Sequence, residues 1–311
     1  MTRRLLVFVP LLAWAISRAG YAQVLVSASP FDVPTDARGA GMGESLVALR
    51  SNVSALMYNP AGLAALSGMG LSYGERSMAW ISMTEGFTFY GVNAFAETPI
   101  GVFAAHYNKF SQGEFTVTSS SDPLAAGKIS RYSYDVALAY ARNIVAGLDF
   151  GVAAKYYDDV FRVSGATDPL FQAPSTTPAW LFDGGLQYTF PGLSSGGRVE
   201  DDLTLGISVQ NVGTKISYST GTESESVEQS LPQYIHAGLA ATVRLLGEER
   251  SRPAPLAATL TLEYTNVLNS SNDQGGSPFW GAGIEFVLGE IISLRGGAVV
   301  QPLTNIYGQE G

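Results

Sequence analysis

Asp36–Leu66 reads DARGAGMGESLVALRSNVSALMYNPAGLAAL, and the rest of the chain reads as a wall built around it. Gly39, Gly41 and Gly43 stand at every second place, where the absence of a Cβ lets backbone approach a neighbouring surface or take positive φ. This predicts a tightly packed, irregular segment. Asn59 is a good N-cap and Pro60 a good first helical residue, because the missing proline N–H falls where a helix has no acceptor. A short helix is therefore expected over Pro60–Leu66, with Ala61 and Gly62 inside it. A dinucleotide loop is a poor reading: no strand precedes the glycines and no βαβ unit follows.

Outward from this segment the chain alternates with period two. Leu203, Leu205, Ile207 and Val209 alternate with Thr204, Gly206, Ser208 and Gln210, giving a strand with one apolar and one polar face. Similar patterns predict about eleven strands, near residues 70–80, 86–96, 100–110, 128–141, 148–160, 179–190, 203–212, 231–246, 256–267, 278–288 and 291–301. Each lasts about 10 residues, the length a tilted strand needs to cross a bilayer. Polar links near 111–127, 160–178, 213–230 and 268–277 alternate with shorter ones, as loops and turns alternate in a membrane barrel.

Composition agrees. Charged residues are 14% of the chain, against about 25% in ordinary soluble domains. No apolar run of helix-spanning length follows the N-terminus. Arg3-Arg4, the apolar stretch 5–16 and Gly20-Tyr21-Ala22 read as a secretory signal peptide over residues 1–22, cleaved near Ala22. Losing Arg3, Arg4 and Arg18 leaves 15 basic against 27 acidic residues, a net charge of −12, so nucleic acid is not an expected partner. Cysteine is absent, which excludes disulfides and Cys–His nucleophiles.

Gly39-x-Gly41-Met42-Gly43, Ser54-Ala55 and Asn59-Pro60-Ala61-Gly62-Leu63, with Gly206–Gly213 and Leu231-Pro232 further on, resemble the PorV/PorQ outer-membrane proteins. Those are similar to the FadL group of long-chain fatty-acid channels. The resemblance implies an all-β fold: a transmembrane antiparallel β-barrel of 14 strands, of which about 11 are present, closed by an N-terminal hatch containing a short helix. It places the hatch over 23–68 and a C-terminally truncated barrel over 69–311, with open edges at the first and last strands.

Asp135, Lys155, Asp183, Arg244, Glu263, Glu285 and Arg295 fall on the polar faces of their strands. Facing lipid near midplane, each Lys or Arg would cost roughly 2–4 kcal/mol and each carboxylate somewhat less. They are therefore expected inside, as an ion-pair network holding the hatch or, in the alternative, as a translocation path or polar ligand site. Asp158-Asp159 and Glu223-x-Glu225 read as solvated charges rather than calcium ligands. Trp80, Tyr107, Tyr156-Tyr157, Trp180 and Trp280 suit interfacial girdles. Neither metal, cofactor nor catalysis is expected from two histidines, His106 and His236, and no nucleophile elbow.

The resemblance implies a component of type IX secretion in the outer membrane, partnered by secretion-machinery proteins or cargo C-terminal domains. The alternative is a FadL-like passive channel for a hydrophobic small molecule; its mouth should be apolar, and Leu124, Phe161, Leu170, Phe171 and Trp180 offer only a scattered apolar set among polar residues.

Overall fold

The computed structural model describes residues 31, 36–77, 87–117, 127–165, 173–190, 199–219, 226–245, 255–269, 278–289 and 291–300. The expected signal peptide, Trp80, Leu124, Leu170, Phe171 and Glu223-x-Glu225 lie outside them.

The chain forms one helical turn, α1 (Ala37–Gly41), two 3-10 helices (Val53–Met57 and Pro60–Ala65), and fourteen strands. These are β1 (Met69–Ser77), β2 (Thr88–Thr98), β3 (Gly101–Val117), β4 (Gly127–Val145), β5 (Leu148–Ser164), β6 (Ser175–Thr177), β7 (Ala179–Phe190), β8 (Val199–Gly213), β9 (Ile216–Ser219), β10 (Ser226–Gln229), β11 (Gln233–Leu245), β12 (Leu256–Asn269), β13 (Phe279–Leu288) and β14 (Ile292–Val300).

Eleven strands form one antiparallel sheet, each hydrogen-bonded to the next main strand along the chain: β1-β2-β3-β4-β5-β7-β8-β11-β12-β13-β14. These are the eleven strands that the alternation predicts, and β7 begins and ends where predicted. Among the described residues β1 and β14 each pair on one side only, so the wall is open at both edges, as expected. The hatch spans the opening from within, α1 touching β14 and the first 3-10 helix touching β1 and β2.

Burial along the strands is the reverse of a water-soluble sheet. On β7, Ala179, Leu181, Asp183, Gly185, Gln187 and Thr189 point inward, whereas Trp180, Phe182, Leu186, Tyr188 and Phe190 lie on the exposed face. On β4, Leu138 is 68% exposed and Asp135 fully buried. Aromatic residues concentrate at two levels of the outer face. Toward the long connections, Tyr107, Tyr134, Tyr156 and Trp180 follow one another across β3, β4, β5 and β7 at 6.1, 6.3 and 5.3 Å. Toward the short turns stand the pairs Phe103–Tyr140 and Tyr188–Phe190, at 5.1 and 5.0 Å. Trp180 and Phe190 are ten residues apart, about 33 Å along a strand and ~25 Å vertically at the usual barrel tilt, the height of an outer-membrane apolar band.

Two expectations are corrected. Tyr157 shares the inward parity of Lys155 and is only 4% exposed, so it belongs to the interior rather than the girdle. The long links are not wholly irregular: β10-β9-β6 form a second, three-stranded sheet. Ile216 and Leu231 from this region pack with Tyr157, Ala179, Leu181 and Phe31, giving short polar segments an apolar seat that their own pattern does not reveal.

Candidate functional site

The interior is layered. At the lowest level the hatch sits on two walls of different chemistry. Against β3, β4 and β5 its Ala55, Leu56 and Leu63 pack on Val102, Ala104, Ala137, Ala139, Ala141 and Ala153. At Gly151 of β5, and around the rest of the circumference, glycines of the wall meet the hatch. A Cβ on Gly151 would strike the backbone of Pro60 and Ala61, one on Gly185 the side chain of Asn59, and one on Gly206 the backbone of Val47. Gly238 faces Val47, Gly281 faces Gly43, Gly283 faces Met42, and Gly297 faces both Met42 and Gly43. Gly151–Gly185, Gly206–Gly238 and Gly283–Gly297 are direct cross-strand partners, so they form a belt at one height. The hatch backbone fits because nothing projects from that belt.

Such close approach strips water from hatch amides, and wall side chains take its place. Glu263 accepts from Val47 N at 2.8 Å, Gln187 donates to the Val47 and Leu49 carbonyls at 2.9 and 3.2 Å, and Ser208 donates to the Tyr58 carbonyl at 2.6 Å. Asn59 does two jobs. Its Oδ1 accepts from Ala61 N at 3.0 Å as the expected cap, while Nδ2 donates to the carbonyls of Val47 at 2.8 Å and Leu186 at 3.1 Å. The helix it caps is a 3-10 turn over Pro60–Ala65.

The glycine motif behaves differently from its expected irregular conformation. Gly39 and Gly41 lie within α1, capped by Asp36, whose Oδ1 accepts from Arg38 N and Gly39 N at 2.9 and 2.8 Å. Only Gly43 of the three takes positive φ, +60°. Gly41 lies against Arg295, where a Cβ would come within 2.9 Å of the arginine Cβ.

The predicted interior charges divide into groups. Glu285 takes Arg38 of the hatch at 2.7 Å and Arg295 of β14 at 2.6 Å, and Glu263 binds the hatch at Val47. Asp149, which the sequence reading passed over, pairs with Arg50 of the hatch at 3.0 Å. Asp135 and Lys155 pair with wall residues rather than with charges of the hatch. Asp135 contacts His106, and Lys155 pairs with Asp183 at 2.6 Å while donating to Asn211 at 2.9 Å. Arg244 is the exception to an interior network. It pairs with Asp202 at the half-exposed rim, both side chains 39% accessible. Its position near the end of β11 carries it beyond the hatch.

Above the hatch lies a polar chamber. His106, Asn108, Lys155, Gln210 and Asn211 line it with Phe31 and Met57, around a cavity of about 10 Å³. Above that, the inward face turns aromatic. Phe89 and Phe110 are cross-strand partners stacked at 4.1 Å, both almost fully buried, with Phe87 edge-on at 5.6 Å. Facing the other side of the mouth is the Tyr157–Leu181–Ile216–Leu231 cluster, joined by Phe31 at 5.1 Å from the Tyr157 ring. Of the apolar mouth residues expected from sequence, Trp180 faces outward and Phe161 packs against Tyr218 and Arg131.

Asp159 is not a solvated charge. It is fully buried, pairing with Arg131 at 2.8 Å and accepting from Tyr218 at 2.6 Å, and so ties the small sheet to the wall. Burial, and then the hydrogen bond to Asp159, push the Tyr218 phenol up from its ordinary range. Burial chiefly, helped by Asp36, Glu44 and Glu263, holds the hatch phenol of Tyr58 well above its ordinary range. No cluster of three or more His, Cys, Asp or Glu suited to a metal ion occurs among the described residues.

No known family profile matches the chain, and no curated protein matches it. Similar solved structures include the Pseudomonas putida toluene transporter TodX, at 11% identity and TM-score 0.43, covering 86% of this chain and 83% of that one. Two TodX variants described as monoaromatic hydrocarbon channels are also similar. The deltaS2S3 mutant gives 12% identity and TM-score 0.46 over 86% and 83% of the two chains. The deltaS2 mutant gives 12% and 0.44 over 86% and 82%.

Proposed function

We propose that this protein is a non-enzymatic outer-membrane barrel, exported by its N-terminal signal peptide, that works as a hatch-gated passive channel for small hydrophobic compounds. The apolar outer face between two aromatic levels supports the membrane setting, since a spanning strand turns apolar side chains to lipid and aromatic ones to the two interfaces. Outer-membrane lipid is then its surrounding solvent.

The observation that favours a channel over a secretion component is the inward Phe89–Phe110 stack with Phe87. Below this level strands β2 and β3 turn Asn93, His106 and Asn108 inward. Stacked above the hatch, these rings make an apolar level in an otherwise polar interior, which a hydrophobic ligand would meet on its way through. A secretion role rests on the PorV/PorQ motif resemblance alone.

The test is mild-detergent purification of the full-length protein, with co-purifying proteins and lipids identified by mass spectrometry. The channel reading expects a lone barrel carrying a stoichiometric apolar molecule, lost in the Phe89→Asn, Phe110→Asn double variant. Recovery of a translocon, a surface peptidase or cargo with a shared C-terminal β-domain would overturn it.

A further inference from the structure

The chamber between the hatch and the aromatic level has an unusual balance of hydrogen-bonding capacity. His106, Asn108 and Gln210 are 4%, 2% and 3% exposed, and each lines the cavity. His106 Nδ1, Asn108 Oδ1 and Gln210 Nε2 are buried there without a protein partner, as is Asp135 Oδ1 behind them. Buried polar atoms left unpaired are costly, so a chamber with several of them is built to receive something. The volume of about 10 Å³ admits one water-sized group.

The surrounding charges decide what that group can be. Among the described residues the lysine that lines the chamber is already engaged: Lys155 is held by Asp183 and Asn211, with its ammonium 5.5 Å from the Phe31 ring. The carboxylates Asp135 and Asp183 flank the chamber, and His106 is in contact with Asp135. An incoming carboxylate would lose its hydration at a site where Asp183 already balances the Lys155 charge and Asp135 adds a like charge. A neutral hydroxyl can donate to Asn108 Oδ1 and accept from Gln210 Nε2, because it carries both functions on one atom. Phe31 and Met57 form the apolar part of the lining.

From this we infer that the chamber is a binding site for the hydroxyl end of a neutral amphiphile, an alcohol or a phenol, whose apolar part lies toward the aromatic level. The inference rests on the channel reading above and adds to it a preference: neutral hydroxyl compounds are taken and the matching carboxylates rejected.

The experiment uses full-length protein in nanodiscs at pH 7.5, titrated with radiolabelled 1-octanol and with octanoate, empty nanodiscs correcting for partition into lipid. The expected result is saturable octanol binding at least about tenfold tighter than octanoate, the worth of roughly one neutral hydrogen bond plus the charge repulsion. The Asn108→Leu, Gln210→Leu double variant is expected to weaken octanol binding about tenfold and to leave octanoate unchanged. Octanoate binding as tightly as octanol overturns the hydroxyl preference while leaving a hydrophobic channel standing. Octanol binding that the double variant does not weaken means the chamber holds only water, and also overturns the inference. Saturable binding of neither compound overturns the channel reading itself. Should the double variant misfold, the octanol-to-octanoate ratio of the unaltered protein decides, with Asn108→Ser expected to keep part of it.

Discussion

The hatch is held by two walls that use different physics. On β3, β4 and β5 the contact is alanine and valine against leucine, which gains energy from buried apolar area and has little directional preference. On the strands from β7 round to β14, glycines admit the hatch backbone and Glu263, Gln187, Ser208 and Glu285 bond to its amides, carbonyls and Arg38. Hydrogen bonds and backbone contact are satisfied in one register only. The alanine wall therefore supplies adhesion, and the glycine wall fixes position. A hatch displaced by a small slide would keep most of the first and lose most of the second.

The sharpest way to break that contrast is Glu263→Ala. The residue is 2% exposed and serves Val47 N, His236 and Thr265 at once. Removing one partner from a buried charged contact costs about 3–5 kcal/mol, read as the urea midpoint of the full-length protein in detergent. Planar-bilayer conductance is expected to rise, because register is lost as well as stability. A change smaller than that of a single alanine-wall truncation would sink the division of labour.

That truncation is Leu63→Ala. Leu63 is fully buried against the alanine wall, and such changes cost about 2–5 kcal/mol, toward the lower end where neighbours can close in. The unfolding midpoint should fall while the closed-state conductance stays near zero, since the glycine wall still sets the register. An open channel in this variant would show that adhesion, too, controls gating.

Gly206→Ala tests the other wall with one methyl group. Its Cβ would overlap the Val47 carbonyl, which Asn59 and Gln187 also need. Overpacking of this kind costs about 1–3 kcal/mol. Here the stability loss should be smaller than for Leu63→Ala and the rise in conductance larger. Faster proteolysis of the hatch than in Leu63→Ala is the accompanying expectation.

Much of this architecture is legible in the sequence, for a physical reason. A strand between lipid and a polar interior must alternate, so eleven strands and the inward parity of Asp135, Lys155, Asp183, Glu263 and Glu285 follow from pattern alone. The Asn59-Pro60 cap is local chemistry and equally readable. What each interior residue touches is not local. Asp149 and Gln187 carried the signal, polar residues between Leu148 and Phe150 and between Leu186 and Tyr188, but nothing in their own strands says that Arg50 or the Val47 carbonyl awaits them. Phe89 and Phe110 break the polar parity of β2 and β3, a conflict visible only once the register of Asn93 and Asn108 is known. The glycine belt is hidden for the same reason: Gly151, Gly206 and Gly283 look like ordinary turn-prone glycines until the hatch is laid against them.

Alkaline pH offers a milder probe of the hatch. Burial raises the Tyr58 pKa above its ordinary value of 10.0. The folded state thus retains the phenolic proton where the unfolded chain has lost it. Stability is then fully present below about pH 10 and declines as pH rises through and beyond that value. Tyr58→Phe should flatten the decline measured by urea midpoints between pH 9 and 11 (about one unit either side of the ordinary phenol). An unchanged slope would move the alkaline sensitivity elsewhere, with Tyr218 of the small sheet the next group to replace.

The smallest effect is expected at Arg50→Gln. Asp149 beneath it is buried, but the Arg50 side chain is 35% exposed and meets water at the lower rim. Solvent screens the pair, and Asn143 Nδ2 also donates to Asp149 at 2.9 Å, so the carboxylate keeps a partner when the guanidinium goes. A loss of about 0–1 kcal/mol is expected, shrinking further in high salt because the contact sits where counterions reach. The same measurement on Asp149→Asn separates the two ends of the bond: it removes the charge that Arg50 meets, while Asn143 Nδ2 keeps the Leu148 carbonyl at 3.2 Å and an amide oxygen to donate to. If Arg50→Gln instead matched Glu263→Ala in cost and in conductance, this rim contact would be a third anchor, and the glycine wall would not by itself fix where the hatch sits.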